Sequence, residues 1–465
     1  MAIFWLLPVL AFPYNELKED ELIAKLQMSS STDKNINVAE CALIFAKTTY
    51  PYFDVGFYLD KLDTIAAEAT KRSKLASEAK IIEAINSYFR EKKIKADSIL
   101  TLLNTSDTDR DKFMLNRVLD TMSGNCLGLS TIYFSIAERL DLPLSAVIIP
   151  QHVFLRHYTG SAYRNIEPTS FGADISETEY ITNTRRVKAE KKSTYDSPEN
   201  VNFLVLNKKQ FLGLILYNRG VDNINRNNIQ NAINDFTSAL KLYPNFHEAY
   251  KSRGSLYLRQ YRNKEALDDL KKANALEPNC PSTLFNLGNA YLNLDYITEA
   301  LNNYDRASEL APDYSEIYHN RGLCYAEGYN YEKALAELTK AIKMSPSAKA
   351  YYDRAVINGS AKNYTEAISD YGDAISLDDK YIDAYHNRGI VYASQELYLN
   401  AVADFEKAIS LVPEENVSKK SLCYKNLGLT FYKMKNYFRA ADWFKKYVEL
   451  RPDDDEIVNL LKQLK

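Results

Sequence analysis

No two cysteines in this chain lie close together. The five, Cys41, Cys126, Cys280, Cys324 and Cys423, are scattered, so neither the ligand spacing of a zinc site nor a CxxC redox centre is present. An odd, scattered set fits reduced thiols better than a disulfide framework. No metal site and no cofactor is therefore expected. Charge of one sign is also lacking. The 58 basic and 61 acidic residues leave a formal net charge of −3, which calls for neither nucleic acid nor an anionic membrane as a partner. Long apolar runs are missing as well. The opening "MAIFWLLPVLAF" carries no charge before Glu16 but is too short to span a bilayer. It lacks the basic leader of a signal peptide, although Val9 and Ala11 suit the −3 and −1 cleavage positions. A buried amino-terminal segment and export or anchoring through residues 1–13 are both compatible with it. The compartment stays unassigned between cytoplasmic and exported, and no other run is a membrane candidate.

What is abundant is tyrosine, 35 of 465 residues, in a chain long enough for two or three domains. The second half explains most of it. Small residues recur at Gly220, Gly254, Gly288, Gly322, Ala355, Gly389 and Gly428, in steps of 34, 34, 34, 33, 34 and 39. Alanines follow twelve residues behind each: Ala232, Ala266, Ala300, Ala334, Ala367, Ala401 and Ala440. Twelve further on come Pro244, Pro278, Pro312, Pro346, Asp379, Pro413 and Pro452. Three series in phase over seven cycles look like a tetratricopeptide array over roughly residues 209–454. Each repeat is then a helical hairpin, with small residues where the two helices meet and a proline that ends the second. The fifth repeat departs with Ala355 and Asp379. The seventh follows a five-residue insertion near "EENVSKKS", expected to lengthen the loop after Pro413. "DEIVNLLKQLK" is expected to be the closing helix that covers the last apolar face.

A correlation within the repeats fixes their packing. Arg219, Arg253, Arg321, Arg354 and Arg388 each precede the small position, and sixteen residues later stand Asp235, Asp269, Glu337, Asp370 and Asp404. The two repeats with leucine, Leu287 and Leu427, have no acid there. An arginine–carboxylate contact inside each of the five repeats is the expectation, with its main role in register. By resemblance to the tetratricopeptide family, Asn218, Asn286, Asn320, Asn387 and Asn426 would lie on the concave face and hydrogen-bond an extended polypeptide. Tyr250, Tyr318, Tyr351, Tyr385 and Tyr424 are packing residues.

In the first half, residues 36–122 carry apolar residues at helical spacing. Asn125 can cap a helix on which Cys126, Leu129, Tyr133, Ile136 and Leu140 share one face. The texture then turns to short β-branched and aromatic runs at 144–150, 152–158 and 163–169, which read as adjacent antiparallel strands. A helix followed by a small sheet is an α+β arrangement. A helix amino terminus favours a thiolate over a thiol, His152 opens the second strand, and Glu167 lies on the third. Alternation puts His152 and His157 on opposite faces, so one at most meets the cysteine. Arg156 shares the face of His152 and is expected to be a structural ion pair.

The stretches "GNCLGLSTIYFSIAERLDLP", "PQHVFLRHY" and "NIEPTSFG", in that order, resemble the transglutaminase-like superfamily of papain-fold cysteine enzymes, and most closely its SirB-type branch, in which tetratricopeptide repeats often follow the core. The resemblance implies a transglutaminase-like (papain-like) domain over residues 36–200, behind an apolar lead-in at 1–35. An all-α tetratricopeptide-repeat solenoid of seven repeats plus a capping helix would follow over 201–465. It also implies Cys126 as nucleophile, His152 as general base and then acid, and Glu167 as the orienting group, where the superfamily usually has aspartate. The Cys126 N–H and the Gln151 side chain are the candidate oxyanion donors. Such a set performs acyl transfer through a thioester: hydrolysis, deamidation or crosslinking of peptide or amide bonds, with the repeats binding a polypeptide partner. The alternative is a non-catalytic scaffold with an inactive core. The basic stretch at 184–200, with Arg185, Arg186, Lys188, Lys191 and Lys192, reads as a solvated connection between domains.

Overall fold

The computed structural model describes residues 18–29, 36–74, 77–96, 112–149, 152–182 and 202–464. The expectations for residues 1–13, for Gln151 and for the basic stretch 184–200 lie outside these residues.

Four helices lead: α1 (Glu19–Met28), α2 (Val38–Thr49), α3 (Val55–Ser73) and α4 (Glu78–Glu91). The last three begin where a short polar side chain accepts an otherwise free backbone N–H, Asn37 from Glu40, Asp54 from Gly56 and Ser77 from Lys80. Helix α2 is buried from Val38 to Ala46, which is why it carries almost no polar face. A two-residue parallel pair, β1 (Lys95–Ala96) with β2 (Ser123–Gly124), and the short α5 (Leu115–Thr121) then lead into α6 (Cys126–Arg139). Asn125 caps α6, its Oδ1 accepting the Gly128 N–H at 2.9 Å. Gly128 is needed where the chain passes closest: a Cβ there would come within 2.2 Å of the Lys112 carbonyl oxygen.

The sheet follows as the sequence suggests, β3 (Leu144–Ile149), β4 (His152–Thr159) and β5 (Ala162–Ile166), all antiparallel. A fourth strand, β6 (Leu204–Leu206), pairs with the free edge of β3 and completes the order β5-β4-β3-β6. Three residues are too few for alternation to show in a sequence. One face of the sheet packs Ala146, Val153, Leu155 and Ile166 into the helical core. The other packs Val147, Ile149 and Phe154 with Tyr180.

From Lys208 the described chain is helical. The hairpins are α7 (Lys208–Asn225) with α8 (Ile229–Leu242), α9 (His247–Arg259) with α10 (Asn263–Leu276), α11 (Pro281–Leu292) with α12 (Ile297–Leu310), α13 (Ser315–Glu327) with α14 (Tyr331–Met344), α15 (Ala348–Ser360) with α16 (Tyr364–Leu377), α17 (Ile382–Ser394) with α18 (Tyr398–Leu411), and α19 (Val417–Lys433) with α20 (Tyr437–Leu450). The closing helix α21 (Asp455–Gln463) buries Ile457 and Leu461 against the last hairpin. The insertion before the seventh repeat departs from expectation. It goes mainly into the helix, not the loop: α19 has 17 residues where α17 has 13. "VSKKS" contains no helix breaker, and Asn416 caps the extension by accepting the Lys419 N–H.

Each hairpin turns on a non-glycine residue in left-handed backbone: Asn227, Tyr261, Asp295, Tyr329, Lys362, Glu396 and Lys435. The next residue's N–H reaches a carbonyl in the first helix, as Asn228 does to Asn223 and Asn330 to Tyr325, the six-to-one closure that ends helices. No glycine marks the position, so the sequence shows no sign of it. All five arginine–acid links form within their repeats: Arg219–Asp235, Arg253–Asp269, Arg321–Glu337, Arg354–Asp370 and Arg388–Asp404. Arg253 and Arg388 bind both carboxylate oxygens, at 2.7 and 2.8 Å, the paired geometry that fixes one helix against the other.

The chain divides into two compact units, residues 1–286 and 287–465, with the boundary inside α11. In the first unit the core runs without interruption from Leu22 to Ala249. Phe134 of α6 stacks on Phe211 of α7 with ring centroids 5.6 Å apart, so the first hairpin shares its core with the sheet-bearing region. In the second unit smaller cores follow the repeats, around Ala334 and Leu338, around Ala367 and Tyr371, and around Phe431 and Phe444.

Candidate active site

Cys126 is the first residue of α6 and is 7% exposed. The Asn125 cap takes the Gly128 N–H, and the Cys126 N–H is among the first-turn donors for which a helix offers no carbonyl of its own, at the positive end of its dipole. His152 opens β4, in register with Ile149, and is buried on the Phe154 face. Its Nε2 donates to Glu167 Oε2 at 2.6 Å. Its Nδ1 has no hydrogen bond of ordinary geometry, and the Cys126 thiol is the other group acting on the ring. Burial opposes a charge on this imidazole, but the Cys126 sulfur and then Glu167 outweigh it, and the ring pKa is raised to about 10.

Glu167 stands directly after β5 and caps the 3-10 turn Pro168–Ser170. Its Oε1 accepts the Thr169 N–H at 3.0 Å and the Thr169 hydroxyl. Its Oε2 accepts the Tyr180 hydroxyl at 2.7 Å besides His152. Burial alone would push the carboxyl up; His152, Thr169 and Tyr180 together hold it below its ordinary value. Gly172 closes that turn, its N–H donating to the Glu167 carbonyl at 2.8 Å with φ +75°. Beneath it, Asn86 of α4 accepts from the Tyr133 hydroxyl of α6 at 2.8 Å. A Cβ on Gly172 would come within 1.9 Å of Asn86 Oδ1. Gly172→Ala is therefore expected to cost about 2–4 kcal/mol, from the backbone strain and the clash together. Chemical denaturation of the full chain checks it; an unchanged midpoint contradicts the packing.

His157 points to the opposite face, where Nε2 meets Glu78 Oε2 at 2.9 Å. Arg156 is a buried structural ion pair: Nε donates to Asn165 Oδ1 at 2.8 Å and Nη2 to Glu177 Oε1 at 2.7 Å. The remaining cysteines are core residues. Burial pushes the thiol of Cys41 up, and those of Cys324 and Cys423 up to about 11.

Four of the five repeat asparagines are committed within the chain. Asn218 donates to the Leu214 carbonyl of its own helix at 2.9 Å. Asn320 donates to Asn289 at 2.7 Å, Asn387 to the Tyr352 hydroxyl at 2.9 Å and Asn426 to His386 Nε2 at 2.9 Å. The last three join the fourth, sixth and seventh repeats each to the one before it. Asp353, at the same position of the fifth repeat, does this with His319 Nε2 at 2.8 Å. Asn286 is half-buried. Sequence reasoning missed this ladder, and it missed Thr169, Tyr180 and Asn86 around Glu167. A single tyrosine thirteen residues beyond Glu167 carries no periodic signal.

Residues 57–202 match the family model of the transglutaminase-like superfamily, and residues 221–446 match that of the N-terminal TPR repeats region of Psidin. Two curated relatives, both named UPF0162 protein, come from Xylella fastidiosa strains Temecula1 and 9a5c. Each is 26% identical, over 50% and 52% of this chain and 81% and 84% of their own. Similar solved structures include a tetratricopeptide repeat protein from Parabacteroides merdae, with 23% identity, TM-score 0.41 and coverage of 54% of this chain and 98% of that one. The C-terminal part of a TPR protein from Cytophaga hutchinsonii has 16% identity and TM-score 0.43, over 52% of this chain and 98% of its own. YrrB, a TPR protein with an unusual peptide-binding site, has 21% identity and TM-score 0.33, over 38% of this chain and 93% of its own. The chain carries a transglutaminase-like domain followed by TPR-type repeats. No helix among the described residues is long and apolar enough to cross a membrane.

Proposed function

We propose that Cys126, His152 and Glu167 form a centre for acyl transfer on peptide or amide bonds, and that the repeats bring it a polypeptide. The observation that carries the reading is one imidazole held by a carboxylate, Nε2 2.6 Å from Glu167, whose charge the Cys126 sulfur also favours. In this mechanism the Cys126 thiol gives its proton to His152 Nδ1. The sulfur attacks the amide carbon, and the carbonyl π-electrons move to oxygen, which the Cys126 N–H can meet. Collapse re-forms the carbonyl and breaks the carbon–nitrogen bond, and the leaving amine takes the imidazolium proton. The thioester then passes its acyl group to water or to a second amine, with His152 removing the acceptor's proton and returning one to the sulfur. Glu167 keeps Nε2 protonated throughout, so that Nδ1 is the nitrogen that exchanges protons. Tetratricopeptide repeats generally bind polypeptides, and tethering a chain beside Cys126 raises its local concentration there.

The test uses p-nitrophenyl acetate as an activated acyl donor to the full chain. Mass spectrometry of the acid-quenched protein is expected to find an acetyl group on Cys126, removed by neutral hydroxylamine and absent after Cys126→Ala. If acetyl is found on Cys280 or Cys423 as readily as on Cys126, the non-catalytic scaffold is the better account.

A further inference from the structure

We propose that Tyr180 is a positioning residue of this centre, its hydroxyl fixing Oε2 of Glu167 against His152; the inference rests on the acyl-transfer reading. Three observations converge. The Tyr180 hydroxyl donates at 2.7 Å to the oxygen that also accepts His152 Nε2 at 2.6 Å. The tyrosine is 1% exposed, and its ring is stacked on Phe154 with centroids 4.3 Å apart and planes 13° from parallel. The same ring lies 5.8 Å from that of His152. Phe154 and His152 are alternate residues on one face of β4, so one strand sets both the stack and the imidazole.

A carboxylate buried this deeply is held ionised only by the donors it meets. Glu167 has Thr169 on one oxygen, and His152 and Tyr180 on the other. Burial keeps the phenol a donor: it raises the Tyr180 pKa far above its ordinary value, and Glu167 adds to the effect. Losing the hydroxyl leaves Oε2 bound to the ring alone. The carboxyl then protonates at higher pH, the imidazolium loses its counter-charge, and the ring assists the Cys126 sulfur less at the acid end.

The experiment measures iodoacetamide alkylation of Cys126 against pH, resolved by site with mass spectrometry, in the full-length chain. Tyr180→Phe keeps the stack and removes only the hydroxyl. Its acid limb is expected about one pH unit above wild type, a rate about tenfold lower at pH 5.5. In a Glu167→Gln background, with no charge to hold, the same substitution is expected to shift nothing further. 3-Fluorotyrosine at position 180 preserves the shape and donates more strongly, so its limb is expected below wild type. Superimposed wild-type and Tyr180→Phe profiles, or an equal shift in the Glu167→Gln background, overturn the positioning role and leave the acyl-transfer reading intact. Wild-type Cys126 no more reactive at pH 5.5 than Cys280 removes that reading and the inference with it.

Discussion

Replacing His152 by alanine is expected to slow alkylation of Cys126 at pH 6 on the order of a hundredfold. An unassisted cysteine with pKa near 8.5 is only about 0.3% ionised at pH 6, so a partner that takes its proton can raise the reactive fraction by up to a few hundredfold. The structure supplies such a partner. The His152 ring is raised to about 10 because the Cys126 sulfur and the Glu167 carboxylate outweigh the burial that opposes its charge. At pH 6 to 8 the folded chain therefore keeps a proton on this ring that an ordinary histidine, titrating near 6.5, is losing. Carbon-13 labelling of the five histidines reads this independently of any reaction. One ring resonance should titrate near pH 10, and in Cys126→Ala it should move to lower pH, since burial remains and the strongest opposing influence is gone. A His152 resonance titrating near 6.5 in the native chain, or equal alkylation rates with and without the ring, would contradict the pairing. Cys324 and Cys423, with thiols pushed up to about 11 by burial, are the internal references for an unassisted sulfur.

The second large effect is on stability. Arg219 is 4% exposed and joins three parts of the first unit. Its Nε donates to Asp235 of α8 at 3.0 Å, Nη1 to the Phe45 carbonyl of α2 at 2.5 Å, and Nη1 and Nη2 to Glu19 of α1 at 2.7 and 2.5 Å. In later repeats the corresponding guanidinium reaches back to the preceding hairpin, as Arg253 does to Thr237 and Arg321 to Asp305. The first repeat has no predecessor, and α1 with α2 stands in for it. Burial opposes the charge on Arg219, and Glu19 followed by Asp235 overcomes it. Burial also pushes the Asp235 carboxyl above its ordinary value while Arg219 resists. Arg219→Leu leaves two carboxylates without their cation and a carbonyl without its donor. The expected cost is about 3–5 kcal/mol, seen as faster amide exchange in α1, α2 and α7. Arg219→Leu combined with Asp235→Leu should recover part of the loss, because one orphaned charge is gone. Arg388→Leu, at a more exposed link with Asp404, should cost clearly less. Equal losses at Arg219 and Arg388 would show that α1 and α2 contribute nothing to holding the first hairpin.

Much of the repeat region is legible in its residues because its determinants are local. A small residue, an alanine twelve places on and a helix stop twelve further each act within one hairpin, and the sixteen-residue arginine–acid spacing spans two adjacent helices. The insertion before the seventh repeat is the exception, because "VSKKS" extends α19 instead of the loop. Helix propensity and the Asn416 cap decided it. The asparagines were legible as a series but not in their use. Asn320, Asn387 and Asn426 bond to the preceding repeat, a fact that depends on how neighbouring hairpins stack.

The sequence alone determined the order of a helix, three antiparallel strands and a run of helical hairpins, the hairpin register, the link inside five of the repeats, and the opposite facing of His152 and His157. All of these follow from helix and strand periods and from side chains within one or two elements of each other. Tertiary structure alone decided that Tyr180 and Thr169 surround Glu167, that Asn86 and Tyr133 brace its turn, and that Arg219 reaches Glu19, 200 residues away in the chain. Such contacts arise when separate elements are driven together by burial of their apolar faces. That burial specifies which surfaces meet but leaves no periodic trace of the single polar group that must be satisfied where they do.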